Sequence, residues 1–126
     1  NGLPYDEALV CEDTSSMEAI FSRIFDLVYA GNSRERPTAI VAGDDYLAGR
    51  ILQYLTKLGM KVPEDMAIVG MDNTYLSEML TPQLTSVNFS KEEFSARLVD
   101  TMLKLIHEEQ VEDAFINVSL LVREST

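Results

Sequence analysis

Short apolar runs alternate along this chain with longer stretches of helical spacing. The runs are Ala8-Leu9-Val10-Cys11, Ala39-Ile40-Val41-Ala42 and Ala67-Ile68-Val69-Gly70, and an acid follows each within a few positions. Unbroken apolar runs of this length fit strands covered on both faces, as in a parallel sheet packed between helices. Between the first two runs, Met17, Ile20, Phe21, Ile24, Leu27 and Val28 recur at helical spacing, and Ser15 with Glu18 forms a capping-box pattern at the start.

Two more helices follow from the same spacing. One buries Leu47, Ala48, Ile51, Leu55 and Leu58, with Gly59 just past its last apolar residue, where a left-handed terminator is expected. After it, Val62-Pro63-Glu64-Asp65 reads as the turn into the third strand. The other starts at the second capping box, Ser-Lys-Glu-Glu-Phe at 90–94, and aligns Phe94, Leu98, Met102, Leu105 and Ile106 on one face, with His107 in its last turn. Thr85 to Phe89 reads as a fourth strand. Ile116, Val118, Leu120 and Val122 alternate with Asn117, Ser119 and Leu121, which predicts a half-exposed strand near the sheet edge.

The pattern is therefore β-α-β-α-β-(short α)-β-α-β, one three-layer α/β sandwich with a mostly parallel sheet. In such sheets ligands meet the loops after the carboxyl ends of the strands. That singles out Asp13-Thr14, Gly43-Asp44-Asp45, Asp72-Asn73 and Asn88-Phe89. The segment from 70 to 89 is the least regular. Its apolar residues Tyr75, Leu76, Met79 and Leu80 belong either under the sheet edge or against another subunit.

The chain has 126 residues, 46% of them apolar, enough for one domain with a real core. Its formal charge of −11 repels nucleic-acid backbones and anionic membranes, so this segment is not expected to bind DNA by itself. A lone cysteine, Cys11, excludes an internal disulfide and a thiolate zinc site. No run approaches the ~20 apolar residues that span a bilayer. The start lacks both an initiator Met and the order of a signal peptide, which suggests a fragment of a longer protein in a reducing compartment.

Catalytic chemistry finds little support. The acid pair Asp44-Asp45 suggests a phosphoryl-accepting receiver, but it arrives after a complete β-α unit, and Asp72 has no matching lysine on a later strand. His107, the sole histidine, falls at a helix C-terminus, where a cation is electrostatically welcome. Cys11 ends an apolar run without a basic neighbour and reads as a packed thiol. Gly43 is solitary, so neither a dinucleotide fingerprint nor a phosphate loop is present. No cofactor and no metal site are expected. Asp44 and Asp45 stand at a helix start, where one of them is expected to cap and the other to be a solvated neighbour. Asp72 is either a cleft acceptor or the head of an Asx turn, and spacing alone leaves both open.

Residues 37 to 94 resemble the LacI/GalR family of bacterial transcription regulators. The resemblance rests on Pro-Thr-Ala-Ile at 37–40, on Val-Pro-Glu-Asp at 62–65 before Ile-Val-Gly-Met-Asp, and on Thr-Pro-Gln-Leu-Thr-Ser-Val at 81–87, and the ending Ser-Leu-Leu-Val-Arg-Glu-Ser-Thr fits it too. It implies the C-terminal lobe of an effector-binding domain, a periplasmic-binding-protein-like type I lobe spanning 1–126. In that family a small-molecule effector, often a sugar or nucleobase, lies between two lobes, and its occupancy shifts operator affinity through differential binding to two lobe arrangements. A homodimer is implied, cytoplasmic, without membrane contact, reading operator DNA through a helix-turn-helix domain outside this segment.

Carried over residue by residue, Asp72 matches the acid that takes hydroxyl or ring N–H donors, with Asn73 beside it. Gly43 falls where the family has an asparagine, Asp44 where it has the helix-starting acid, Asp45 at a variable position. Phe89 replaces a polar residue and Thr14 an aromatic one, a departure that suits a ring face, a larger sugar or an apolar effector. The resemblance also implies dimer contacts by Leu47, Ala48, Ile51, Met79 and Leu80. The closest alternative is the lobe of a periplasmic sugar-binding protein, which shares fold and strand-end acid. Sequence upstream separates them: a helix-turn-helix or a signal peptide.

Overall fold

The computed structural model describes residues 6–11, 16–29 and 36–126. Its elements are a 3-10 turn at Glu7–Leu9, then α1 (Met17–Tyr29), β1 (Ala39–Val41), α2 (Asp45–Lys57), β2 (Ala67–Met71), α3 (Tyr75–Met79), β3 (Thr85–Phe89), α4 (Lys91–Ile106) and β4 (Val118–Leu121). The strands form one sheet in the order β1-β2-β3-β4. β1 pairs in parallel with β2, placing Ile40 beside Ile68, and β2 pairs in parallel with β3, placing Gly70 beside Ser86. β4 closes the other edge antiparallel to β3, with Val118 opposite Phe89. The α/β class with a mostly parallel sheet is the one the alternating pattern predicts.

Helix boundaries follow local chemistry. Asp44 is the N-cap of α2, its Oδ1 accepting the Leu47 N–H at 2.6 Å. Gly59 takes a φ of +79° just beyond that helix, a conformation that costs glycine nothing. Ser90 Oγ accepts the Glu93 N–H at 3.1 Å at the start of α4, and the backbone N–H of His107 closes its end on Leu103 O. At α1 it is Ser16 Oγ that accepts the Ala19 N–H, and Ser15 lies outside the described residues. Asp65 closes the predicted turn by accepting the Lys61 N–H at 2.8 Å.

The core lies between one face of the sheet and the first helices. Ile20, Ile24 and Val28 of α1 meet Ala48, Ile51, Leu52 and Leu55 of α2 and Ile68 of β2, and Phe21 stacks on Tyr54 at 4.3 Å between ring centroids. The alternation of β2 sends Ile68 and Gly70 into this core and Ala67, Val69 and Met71 to the opposite face.

Three expectations fail, one of them the half-exposed edge strand: β4 is exposed at all four of its positions. Residues 8–11 do not form a strand: Glu7–Leu9 make a 3-10 turn capped by Asp6, and Val10 and Cys11 are exposed, so Cys11 is not a packed thiol. An apolar run encodes a strand only where a neighbouring strand pairs with it, and a cavity of about 550 Å³ separates this segment from β1. The apolar stripe of α4 is also not buried. Phe94, Leu98, Met102, Leu105 and Ile106 are all exposed, because no element among the described residues covers that face.

The final residues fill a gap between β2 and β3. Ladder pairing of these strands begins at Val69 and Thr85, and just before it Ile68 donates its N–H to Ser125 O at 2.8 Å. Ser125 Oγ donates to Ile68 O at 2.6 Å and accepts the Thr85 N–H at 2.8 Å. Ser125 is fully buried in this seam.

Candidate functional site

The carboxyl ends of β1, β2 and β3 bring Gly43-Asp44, Asp72-Asn73 and Asn88-Phe89 to one edge of the sheet. The middle of the three is the most constrained. Asp72 and Asn73 have φ values of +88° and +42°, the left-handed region that residues other than glycine occupy at a cost of about 1–3 kcal/mol each. Such a corner persists only when its surroundings hold it.

Groups from β3, α2 and the C-terminal segment hold it. Asp72 donates its N–H to Val87 O at 2.9 Å, and Asn73 donates its N–H to Ser86 Oγ at 3.0 Å. The Asn73 side chain donates to Asn88 Oδ1 at 3.3 Å and accepts from Arg123 Nη2 at 2.8 Å. Thr74 donates both its N–H and its hydroxyl to Asp45 Oδ2, at 2.6 and 2.9 Å. Asp45 Oδ1 in turn accepts the Ser86 hydroxyl at 2.6 Å.

Asp45 is thus the buried hub of the site, with 0% of its surface exposed. A carboxylate is tolerated at such depth only when it is well hydrogen-bonded, and three donors meet it here. This corrects the expectation of a solvated neighbour: the exposed acid is the cap, Asp44, and the buried one is Asp45. Gly70 makes the approach possible. A methyl group there would overlap Asp45 Oδ1 and lie 2.8 Å from Leu84 Cδ2.

Asp72 behaves differently. It is half-buried, and its carboxylate makes no hydrogen bond among the described residues, so no Asx turn forms. Among the described residues neither oxygen of this carboxylate has a donor, so both are available to a ligand. Asn73 is committed to Asn88 and Arg123, which makes it a brace of the corner. Phe89 is half-buried and meets Phe94 edge-on at 5.6 Å, giving an aromatic wall, and Gly43 has open space where a side chain would stand. Thr14 lies outside the described residues.

The residues carried over as dimer contacts divide by burial. Ala48 and Ile51 are 0% and 2% exposed, and Leu47 packs against the same core, because α2 spends its apolar stripe on the sheet. That removes Ala48 and Ile51 from the available surface and leaves Leu47 only partly exposed. Leu80 packs over Gly49, so the inner side of α3 is tucked in, and Ser77 is buried there. Met79 and Tyr75 point outward, 64% and 76% exposed.

Sequence reasoning placed Asp45 in solvent instead of the core, and it missed Ser86 and Arg123 altogether. A glycine inside the strand run Ile-Val-Gly-Met was the available signal, since it marks close approach by another group. Nothing in the spacing announced Arg123. Among the described residues no cluster of His, Cys, Asp or Glu is arranged to hold a metal ion, and no helix is long and apolar enough to cross a membrane.

Over residues 1–126 the chain matches the family described as periplasmic binding protein-like domain. The chain belongs to that family. Among solved structures with this lobe, transcription regulator CcpA of Lactococcus lactis superposes with a TM-score of 0.78 at 30% identity, over 98% of this chain and 44% of that one. The transcriptional regulator CelR in complex with cellobiose gives 0.73 at 29% identity, over 99% of this chain and 38% of that one. The HTH-type transcriptional regulator DegA of Bacillus subtilis (strain 168) is 41% identical over 86 residues, 68% of this chain and 24% of DegA. These are regulators of the LacI type, so the resemblance read from the sequence holds, and none is named as an enzyme. The chain spans roughly a quarter to a third of the length of its curated relatives.

Proposed function

We propose that this segment is the C-terminal lobe of the effector-binding domain of a LacI/GalR-type transcription regulator, taking a saccharide or related metabolite at the carboxyl ends of β1 to β3. The Asp72 carboxylate carries the reading: it is half-buried, held at a left-handed corner by ties to Ser86, Asp45 and Arg123, and without a hydrogen-bond partner among the described residues. A charged acceptor in that position suits the paired hydroxyls of a sugar. The Phe89 ring offers an apolar face beside it, and Gly43 leaves room on the other side. Cellobiose bound to CelR supports the saccharide class.

The complete protein acts in this reading as a cytoplasmic homodimer that contacts operator DNA through a helix-turn-helix domain, without cofactor and without catalysis. Effector occupancy changes the arrangement of two lobes and thereby operator affinity. The alternative, a periplasmic sugar-binding protein, is disfavoured by relatives that carry the names of transcription regulators. The test is calorimetry on the complete protein. Asp72→Ala lowers effector affinity by ~1.5–3 kcal/mol, the range for a charged hydrogen bond. Wild-type affinity in that variant would reject the site.

A further inference from the structure

Arg123 stands far from the strand-end corner in sequence, yet its guanidinium braces it. Nη2 donates to Asn73 Oδ1 at 2.8 Å, and Nη1 donates to Leu84 O at 2.8 Å. Its backbone N–H is fixed by Thr85 Oγ1 at 2.9 Å, and the next residues are fixed in turn, Glu124 by the Gln83 N–H and Ser125 by Ile68. The arginine is therefore anchored to the sheet at one end and grips the corner at the other. Its ion-pair partner is Glu78 at 3.5 Å, and it forms no ion pair with Asp72.

From this geometry we infer that Arg123 is the positioning residue of the effector site, setting Asp72 indirectly by clamping the side chain of Asn73. This deepens the saccharide-site reading and rests on it. The divergent fork is the requirement. A guanidinium reaches a backbone carbonyl with one nitrogen and an amide oxygen with the other, whereas a lysine ammonium is a single point on a flexible stem. Asn73 needs the clamp because its backbone is left-handed and its other amide contacts, to Asn88 Oδ1 and from the Ser77 hydroxyl, are long at 3.3 and 3.4 Å. Release of the clamp lets the corner relax toward ordinary φ values and carries the neighbouring carboxylate away from its aim.

The test uses the full-length protein bearing this segment, with Arg123→Lys, Asn73→Gly and the double variant. Glycine at 73 accepts the left-handed backbone while deleting the clamped side chain. Two readouts are taken: calorimetric affinity for cellobiose, and amide hydrogen exchange of residues 72–74 against those of α2. Arg123→Lys is expected to weaken cellobiose binding about tenfold and to speed exchange at 72–74, with α2 protected as in the wild type. In the Asn73→Gly background the same change is expected to add nothing further, because its route is gone. Equal losses in both backgrounds, or unaltered exchange at 72–74, overturn the inference. If the wild type takes no cellobiose, that disaccharide falls as the effector, and the exchange comparison alone decides the role of Arg123.

Discussion

The Asp45 carboxylate lies so close to Gly70 that no side chain fits between them, and α2 is thereby seated directly on β2. Gly70→Ala forces either the buried acid or Leu84 to move. The expected cost is about 1–3 kcal/mol, as for other overpacked core positions, read as a lower urea midpoint with unchanged slope.

Asp45→Asn keeps the shape of the side chain and removes one of the two oxygens that receive Thr74 and Ser86. At least one buried donor then loses its acceptor, since 0% of this residue is exposed. A loss of about 1–3 kcal/mol is expected. Asp44→Asn retains a capping oxygen at an exposed site and changes stability by only a few tenths of a kcal/mol. Thermal unfolding of the two variants side by side separates the roles of these adjacent acids.

Asp72→Gly is expected to move stability and affinity in opposite directions. Glycine adopts the φ of +88° without strain, so the fold gains or holds its stability, while effector binding loses the carboxylate. A variant in which both properties fall together counts against strain stored for binding at this corner.

Met79→Asp, combined with Tyr75→Asp, is expected to weaken self-association of the complete protein and to leave its melting temperature nearly unchanged, because both side chains stand on the outer side of α3. Leu80→Asp is a poorer probe, since Leu80 also packs over Gly49 and its loss disturbs the fold. Sedimentation at micromolar concentration that matches the wild type would remove the outer face of α3 from the interface.

Most of the architecture was legible in the residue pattern because it depends on local signals. The helical stripe of α1, the caps at Asp44 and Ser90, the left-handed Gly59 and the apolar runs of β1 and β2 each act within a few residues. The alternating pattern of 116–122 likewise marked an edge strand, and β4 lies at the edge. What the pattern could not reveal depends on partners. The run at 8–11 is as apolar as β1 yet forms no strand, and the α4 stripe is amphipathic yet uncovered.

The site was legible in part for the same reason. Strand-end position alone put Asp72, Asn73, Gly43 and Phe89 at one edge of the sheet, where the structure has them, but it separated neither Asp44 from Asp45 nor a brace from an open acceptor. Those distinctions rest on contacts between groups far apart in the chain, such as Ser86 with Asp45, which leave no periodic trace.

The seam filled by Ser125 bears on biosynthesis. Ile68 and Thr85 leave the ribosome long before the serine that satisfies their backbone groups. During elongation this pair of neighbouring strands has a missing rung, and the nascent lobe cannot reach its final sheet until residue 125 is made. Ribosome-stalled chains ending before that residue are accordingly expected to be more protease-sensitive than chains extended far enough past it for Ser125 to clear the exit tunnel.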